Sequence, residues 1–249
     1  MISGPRALLM QAAHPLAVAG LLAHTQGLDD PYKRLERTAQ VMSAIGFGSR
    51  EEADRLTRGV RAMHRRVRGR LPNAAGPFPA GTPYAADDPA LLMWVLFSLV
   101  DSGIVVYERF VSSMSRDEKE AYWADYRIVG NLFGLADADM PADLGDLEAY
   151  RHDMYASGDL VVTEWARNQA RRIVLEPPLP TALRPLLEAV NFVTVALLPP
   201  QIRDQYGFSA LPPTPVRELA VAAYGEYVKR GVLPFLPGRL RRVPVARAA

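Results

Sequence analysis

Apolar residues along the chain recur at intervals of three and four, while strictly alternating runs bounded by turn residues are almost absent. The first spacing gathers side chains on one face of an α-helix and the second would gather them on one face of a strand, so the pattern predicts an all-α fold. A short helix near the amino terminus precedes one from Pro15 to about His24, and Gly27-Leu28-Asp29-Asp30 then forms a turn. Pro31 suits the first position of a third helix capped by Asp30, with Gly46 and Gly48 stopping it after Ile45. Ser49 and Glu52 make a capping box for a fourth helix, running to about Arg68 before Gly69 weakens it. The stretch from Leu71 to Asp87 holds Pro77, Pro79, Gly81 and Pro83 and reads as a long irregular loop. Asp88-Pro89 opens a central helix, Ser115 with Glu118 opens another, and further helices fall at about 145–156, 160–174, 180–197 and 214–230.

The most apolar stretch, Ala90 to Tyr107, is interrupted by Asp101, and the uncharged run before it falls short of the ~18 residues a membrane-spanning helix needs. A long buried central helix is the reading, with no transmembrane segment. A carboxylate at Asp101, among Leu99, Val100, Ile104 and Val105, then calls for a partner, either an arginine or a histidine that it orients. No internal repeat and no low-complexity linker divides the chain. One globular helical domain over residues 1–249 follows, with about 234–249 a loosely packed, solvated basic tail carrying four arginines.

Composition narrows the function. With 29 basic and 27 acidic residues the net charge is only +2, too balanced for a dedicated nucleic-acid binder. The absence of cysteine excludes disulfides, thiolate metal sites, iron–sulfur clusters and a thiolate-ligated haem. The apolar start contains Arg6 and Ala17-Val18-Ala19, as a secretory leader would, but Gln11, His14 and Pro15 interrupt it, so a cytoplasmic location is expected. No G-x-S-x-G elbow, Gly-rich phosphate loop, H-E-x-x-H or paired E-x-x-H motif is present.

Four histidines remain as candidate chemistry: His14, His24, His64 and His152. On the fourth helix Ala53, Leu56, Val60, Met63, Val67 and Leu71 form an apolar stripe, and His64 falls inside it. An imidazole there needs a partner for each nitrogen: iron on one and a carbonyl or carboxylate on the other, or ordinary hydrogen bonds in a core. Arg61 lies one turn before it, where a cation favours a neutral, ligating imidazole. On the third helix Leu35, Thr38, Met42 and Ile45 mark the buried face, and Arg34, Arg37 and Thr38, one turn apart, can aim polar groups toward a common cavity or line its rim. His14, before Pro15, suits a hydrogen bond at a helix junction, and His24 and His152 suit the surface.

These residues carry a resemblance. The string Gly4-Pro5-Arg6-Ala7-Leu8-Leu9-Met10-Gln11-Ala12-Ala13-His14-Pro15, the Arg34-x-x-Arg37-Thr38 and Arg61-x-x-His64 units, Tyr84-Ala85-Ala86-Asp87-Asp88-Pro89 with Trp94, and Leu198-Pro199-Pro200-x-x-Arg203 are similar to the latex-clearing-protein and MpaB-type oxygenase family. The resemblance implies an all-helical fold holding haem b and acting with dioxygen on a hydrophobic, unsaturated small molecule. It further implies His64 as proximal iron ligand, Arg61 and Arg203 as cofactor-side arginines, and Arg34, Arg37 and Thr38 on the oxygen side. Arg37 stands where latex-clearing enzymes carry an iron-ligating lysine, and a guanidinium cannot coordinate iron. The start of the motif close to Met1 implies a preceding helix in relatives. The reading from another class is a non-catalytic helical module that binds a lipid-like ligand or a protein partner without iron.

Overall fold

The computed structural model describes residues 3–23, 31–177, 180–208 and 214–235. Its longest described helix, α5 (Pro89–Phe110), starts where the Asp88 carboxylate accepts from the backbone N–H groups of Ala90 and Leu91. It is long and apolar enough to cross a membrane. Here Leu91, Met93, Trp94, Leu96, Phe97 and Val100 are buried, with α1 (Ser3–Gln11) and α6 (Arg116–Phe133) packed on it, so it serves as the core helix of an all-α protein. Trp94, Trp123 and Phe97 are the largest fully enclosed side chains, and Trp123 Nε1 donates to the Pro141 carbonyl at 3.1 Å.

A polar seam ties α1 to α5. Ser98, Asp101 and Ser102 recur at helical spacing on α5, and α1 lays Arg6 and Gln11 along them. Arg6 pairs with Asp101 at 2.8 Å and donates to Ser102 Oγ at 2.8 Å and, across the fold, to the Leu197 carbonyl at 2.8 Å. Gln11 Nε2 donates to Ser98 Oγ at 2.9 Å. The arginine is therefore the cation that Asp101 required. Helix α10 (Pro200–Tyr206) closes the other side, Tyr206 Oη donating to the Leu9 carbonyl at 2.8 Å.

The remaining helices are α2 (Pro15–Ala23), α3 (Pro31–Phe47), α4 (Arg50–His64), α7 (Leu144–Ala156), α8 (Glu164–Gln169), α9 (Arg184–Ala196) and α11 (Thr214–Tyr227). π-Helical turns at Ala170–Leu175 and Val228–Val232 extend α8 and α11. Ser115 and Glu118 form the predicted reciprocal capping box of α6, and Ser49 Oγ accepts from Glu52 N at the start of α4.

The structure departs from the sequence reading in three places. Helix α4 stops at His64 rather than near Arg68, because the backbone turns away to form a strand, β1 (Arg68–Arg70), antiparallel to β2 (Pro83–Ala85). The 71–87 stretch is thus a hairpin excursion with one regular edge, packed through Leu71, Tyr84 and Phe78 against α2. Gly69 permits that pairing, since a Cβ there would sit 2.3 Å from Tyr84 Oη. Finally, α10 begins at Pro200 in what the sequence offered only as a Pro-Pro motif; Pro at the first turn needs no N–H partner.

Candidate active site

Along α4, Ala53 and Thr57 are buried and Met63 is 53% exposed. Ala53, Thr57, Val60 and His64 recur at four, three and four residues, so the inward line is rotated by about one position from the stripe expected of Leu56, Met63 and Val67. His64 stands on this line rather than at its border. Thr57, fully enclosed, is the residue the pattern missed: its hydroxyl is spent on the Ala53 carbonyl at 2.8 Å, so it packs as a small apolar group.

His64 closes the helix, and its carbonyl accepts from Val67 N as the chain turns into β1. Its Nδ1 is buried with no hydrogen-bond partner among the described residues. Burial lowers the imidazole pKa below 6.5, and the charge of Asp87 only partly offsets this. Asp87 is itself held by Arg68 at 2.7 Å. The ring is therefore neutral near pH 7 and offers a nitrogen lone pair next to an N–H.

Arg61, one turn back, donates Nη1 to the Leu132 carbonyl in the last turn of α6, and its methylenes lie against Gly134. A cation at a helix carboxyl terminus is favourable, so Arg61 fastens α4 to α6 beside the histidine. Helices α3 and α4 pack as a hairpin joined at Gly48-Ser49. At 1.5 Å per residue, Arg34 lies roughly 21 Å and His64 roughly 22 Å along their helices from that turn, so the two reach the same end of the hairpin. Met42 and Ile45 pack against the core as the expected buried face of α3 requires, joined by buried Ala44, whereas Thr38, expected on that face, is exposed, as is Arg37, both one turn nearer the turn. The side chain of Arg34 lies outside the described residues.

Arg203 is buried on α10, with Nη1 donating to the Leu198 carbonyl at 3.4 Å and Nε 3.5 Å from Asp204; among the described residues no hydrogen bond or ion pair joins it to α4. The structure thus puts His64 and Arg61 one turn apart on α4, with α3 packed alongside, and Arg203 on α10. His14 does sit at the α1–α2 junction, its ring 5.5 Å from Phe78, but the expected hydrogen bond is not made by Nδ1, which is buried without a partner among the described residues. His152 is exposed, and His24 lies outside the described residues.

A family model described as "ER-bound oxygenase mpaB/B'/Rubber oxygenase, catalytic domain" matches residues 1–230. The chain belongs to this family. No curated protein and no solved structure matches it. The mpaB/rubber-oxygenase domain here spans all eleven α-helices of the described residues, so Arg6, Asp101 and Tyr206 are part of its scaffold and His64 part of its candidate chemistry.

The buried His14 and the half-buried His64 have a measurable consequence. Burial is the leading cause of a lowered pKa at both His14 and His64, so the unfolded chain binds protons below pH 6.5 that the folded one refuses. Stability is therefore fully present above that value and lost as pH falls through the folded pKa. Urea unfolding should show the free energy dropping below pH 6.5, and His14→Gln should flatten that slope.

Proposed function

We propose that this oxygenase-family protein binds haem b through His64 and acts with dioxygen on a hydrophobic, unsaturated small molecule. The observation that carries the proposal is a neutral imidazole at a helix end with a buried nitrogen that no described residue satisfies, a situation costing about 1–3 kcal/mol until a partner arrives. The donor set fits a macrocycle better than a bare ion. Among the described residues no three His, Asp or Glu side chains converge, whereas a porphyrin brings four nitrogens and asks the protein for one.

Haem, when bound, supplies a redox-active iron for chemistry with dioxygen. The chain's part is to hold and orient it. His64 would hold the iron through a ring nitrogen, and Arg61, through Leu132, keeps the end of α4 in place against α6. Arg34, Arg37 and Thr38 on α3 would be the donors whose N–H and O–H groups stabilise charge developing on oxygen, as the family resemblance implies. Arg37, always protonated, acts there as a donor and not as a ligand.

Hemin titration into the purified protein tests the reading. A saturable Soret shift, followed by dioxygen uptake with an alkene substrate, is expected. A spectrum equal to free hemin at all ratios would sink the proposal and favour the iron-free ligand-binding reading.

A further inference from the structure

The outer side of α4 carries one sign of charge. Residues 50–70 hold eight arginines against three acids, a net +5 where the whole chain has +2, so the rest of the sequence is net acidic. Three of these arginines are engaged: Arg61 with the Leu132 carbonyl, Arg68 with Asp87 and Arg70 with the Gly81 carbonyl. The side chains of Arg55, Arg58, Arg65 and Arg66 are exposed and have no hydrogen-bond or ion-pair partner among the described residues. Arg55 stands nine residues before His64, about two and a half helical turns, which sets the two on opposite sides of α4. Arg58 follows on the outer side, and Arg65 and Arg66 come directly after the last residue of the helix. Gly59 between them faces open space, since a Cβ there would meet nothing within 4 Å, so a partner surface can close onto the helix.

Unpaired guanidiniums call for an anionic partner, and the make-up of the face selects which one. A lipid surface asks for large apolar side chains beside the charge, yet the outer positions hold Arg55, Arg58, Gly59 and Ala62. A long nucleic acid would meet the net acidic remainder of the chain as well as the patch. An acidic protein surface fits: every cation of the segment is arginine and none is lysine, and Met63 at the flank is 53% exposed, the residue preferences of protein interfaces. Location indicates what such a partner brings. A single helix, roughly 10–12 Å across with its side chains, separates the arginine face from the inward imidazole of His64. Ferric haem takes up dioxygen only after it has gained one electron, and this is the shortest way in that the fold offers through α4.

We propose that the outer face of α4, through Arg55, Arg58, Arg65 and Arg66, docks a small acidic one-electron carrier protein that reduces the iron bound at His64. The carrier is oxidised by one electron as ferric iron becomes ferrous, and no proton or atom changes hands. The electron-delivery step rests on the reading of His64 as the axial ligand, whereas the docking itself does not.

An acidic plant-type [2Fe–2S] ferredoxin serves as the probe. Surface plasmon resonance with the haem-free full chain should show binding at low ionic strength that weakens as salt is added. The triple variant Arg55→Glu, Arg58→Glu, Arg66→Glu should slow association by about ten- to a hundredfold, the range of electrostatic steering, with an unchanged thermal melt as the control. In the hemin complex, anaerobic stopped flow with photoreduced ferredoxin should convert the ferric Soret band to the ferrous one. The triple variant should slow that conversion by a similar factor, while reduction by uncharged photoreduced deazaflavin stays equal in both proteins. The proposal is overturned by absent ferredoxin binding, by a variant that binds like the parent, or by a docked ferredoxin that leaves bound haem ferric. Duplex DNA or phosphatidylglycerol vesicles binding as tightly as ferredoxin would overturn it too, because the face then only collects anions. A chain that takes up no hemin fails the haem reading, and the electron-delivery step with it; ferredoxin binding, measured without haem, tells that failure from a failure of docking.

Discussion

Arg6→Met is expected to cost about 3–5 kcal/mol of unfolding free energy, the loss typical of breaking a buried ion pair by removing one partner. The size follows from what is left behind. Asp101, 9% exposed, keeps a carboxylate in the core with its cation gone, and Ser102 and the Leu197 carbonyl each lose their donor at the same time. The double variant Arg6→Met, Asp101→Leu should recover much of the loss, since two apolar groups in place of a desolvated pair are often neutral or better. Urea midpoints of the parent, the two single variants and the double variant close the cycle. A loss from Arg6→Met of under about 1 kcal/mol, as for a surface pair, would show that the seam between α1 and α5 is not what holds the amino-terminal string in place.

The string that reads most distinctively in the sequence is thus a structural fastening, and this is one of the things sequence alone could not assign. Helix periods, caps and first-turn prolines are local, so α3 and α7 were legible within a few residues of both observed ends and α5 and α6 at their starts. The demand of Asp101 for a partner was legible too. Its answer lies 95 positions away, and no local rule pairs residues that distant. The small sheet was invisible for a different reason: two strands of three residues, one of them starting at Pro83, are too short to show alternation. Helix α10, at seven residues, is too short to show a helical period.

At the candidate site the legible part was chemical and the illegible part angular. That a histidine on α4 faces inward followed from its apolar company, and the structure places it on the buried line. The rotation of that line, which exposes Met63 and encloses Thr57, depends on where α3 and α6 press against α4. Thr57 scores as polar in any pattern because sequence does not reveal that its hydroxyl bonds its own helix. The engagement of Arg61 with Leu132 is likewise a contact across 71 positions.

The second large effect is expected at His64. His64→Gly should remove the axial nitrogen and shift the Soret band of the hemin complex to that of an unligated or water-ligated form, while millimolar imidazole, entering the space the ring vacates, should restore the parent spectrum. The choice of glycine matters: position 64 is the last residue of α4, where backbone freedom costs at most about 1 kcal/mol, so the fold should survive and the spectrum report the ligand alone. Acid provides an independent readout. Burial already holds the His64 pKa below 6.5, so protons compete poorly for the nitrogen and the ligated spectrum should persist below that pH in the parent. If imidazole restores nothing in His64→Gly and the variant instead unfolds at much lower urea, His64 is a packing residue whose buried nitrogen stabilises the fold in some other way, and the haem assignment fails with it.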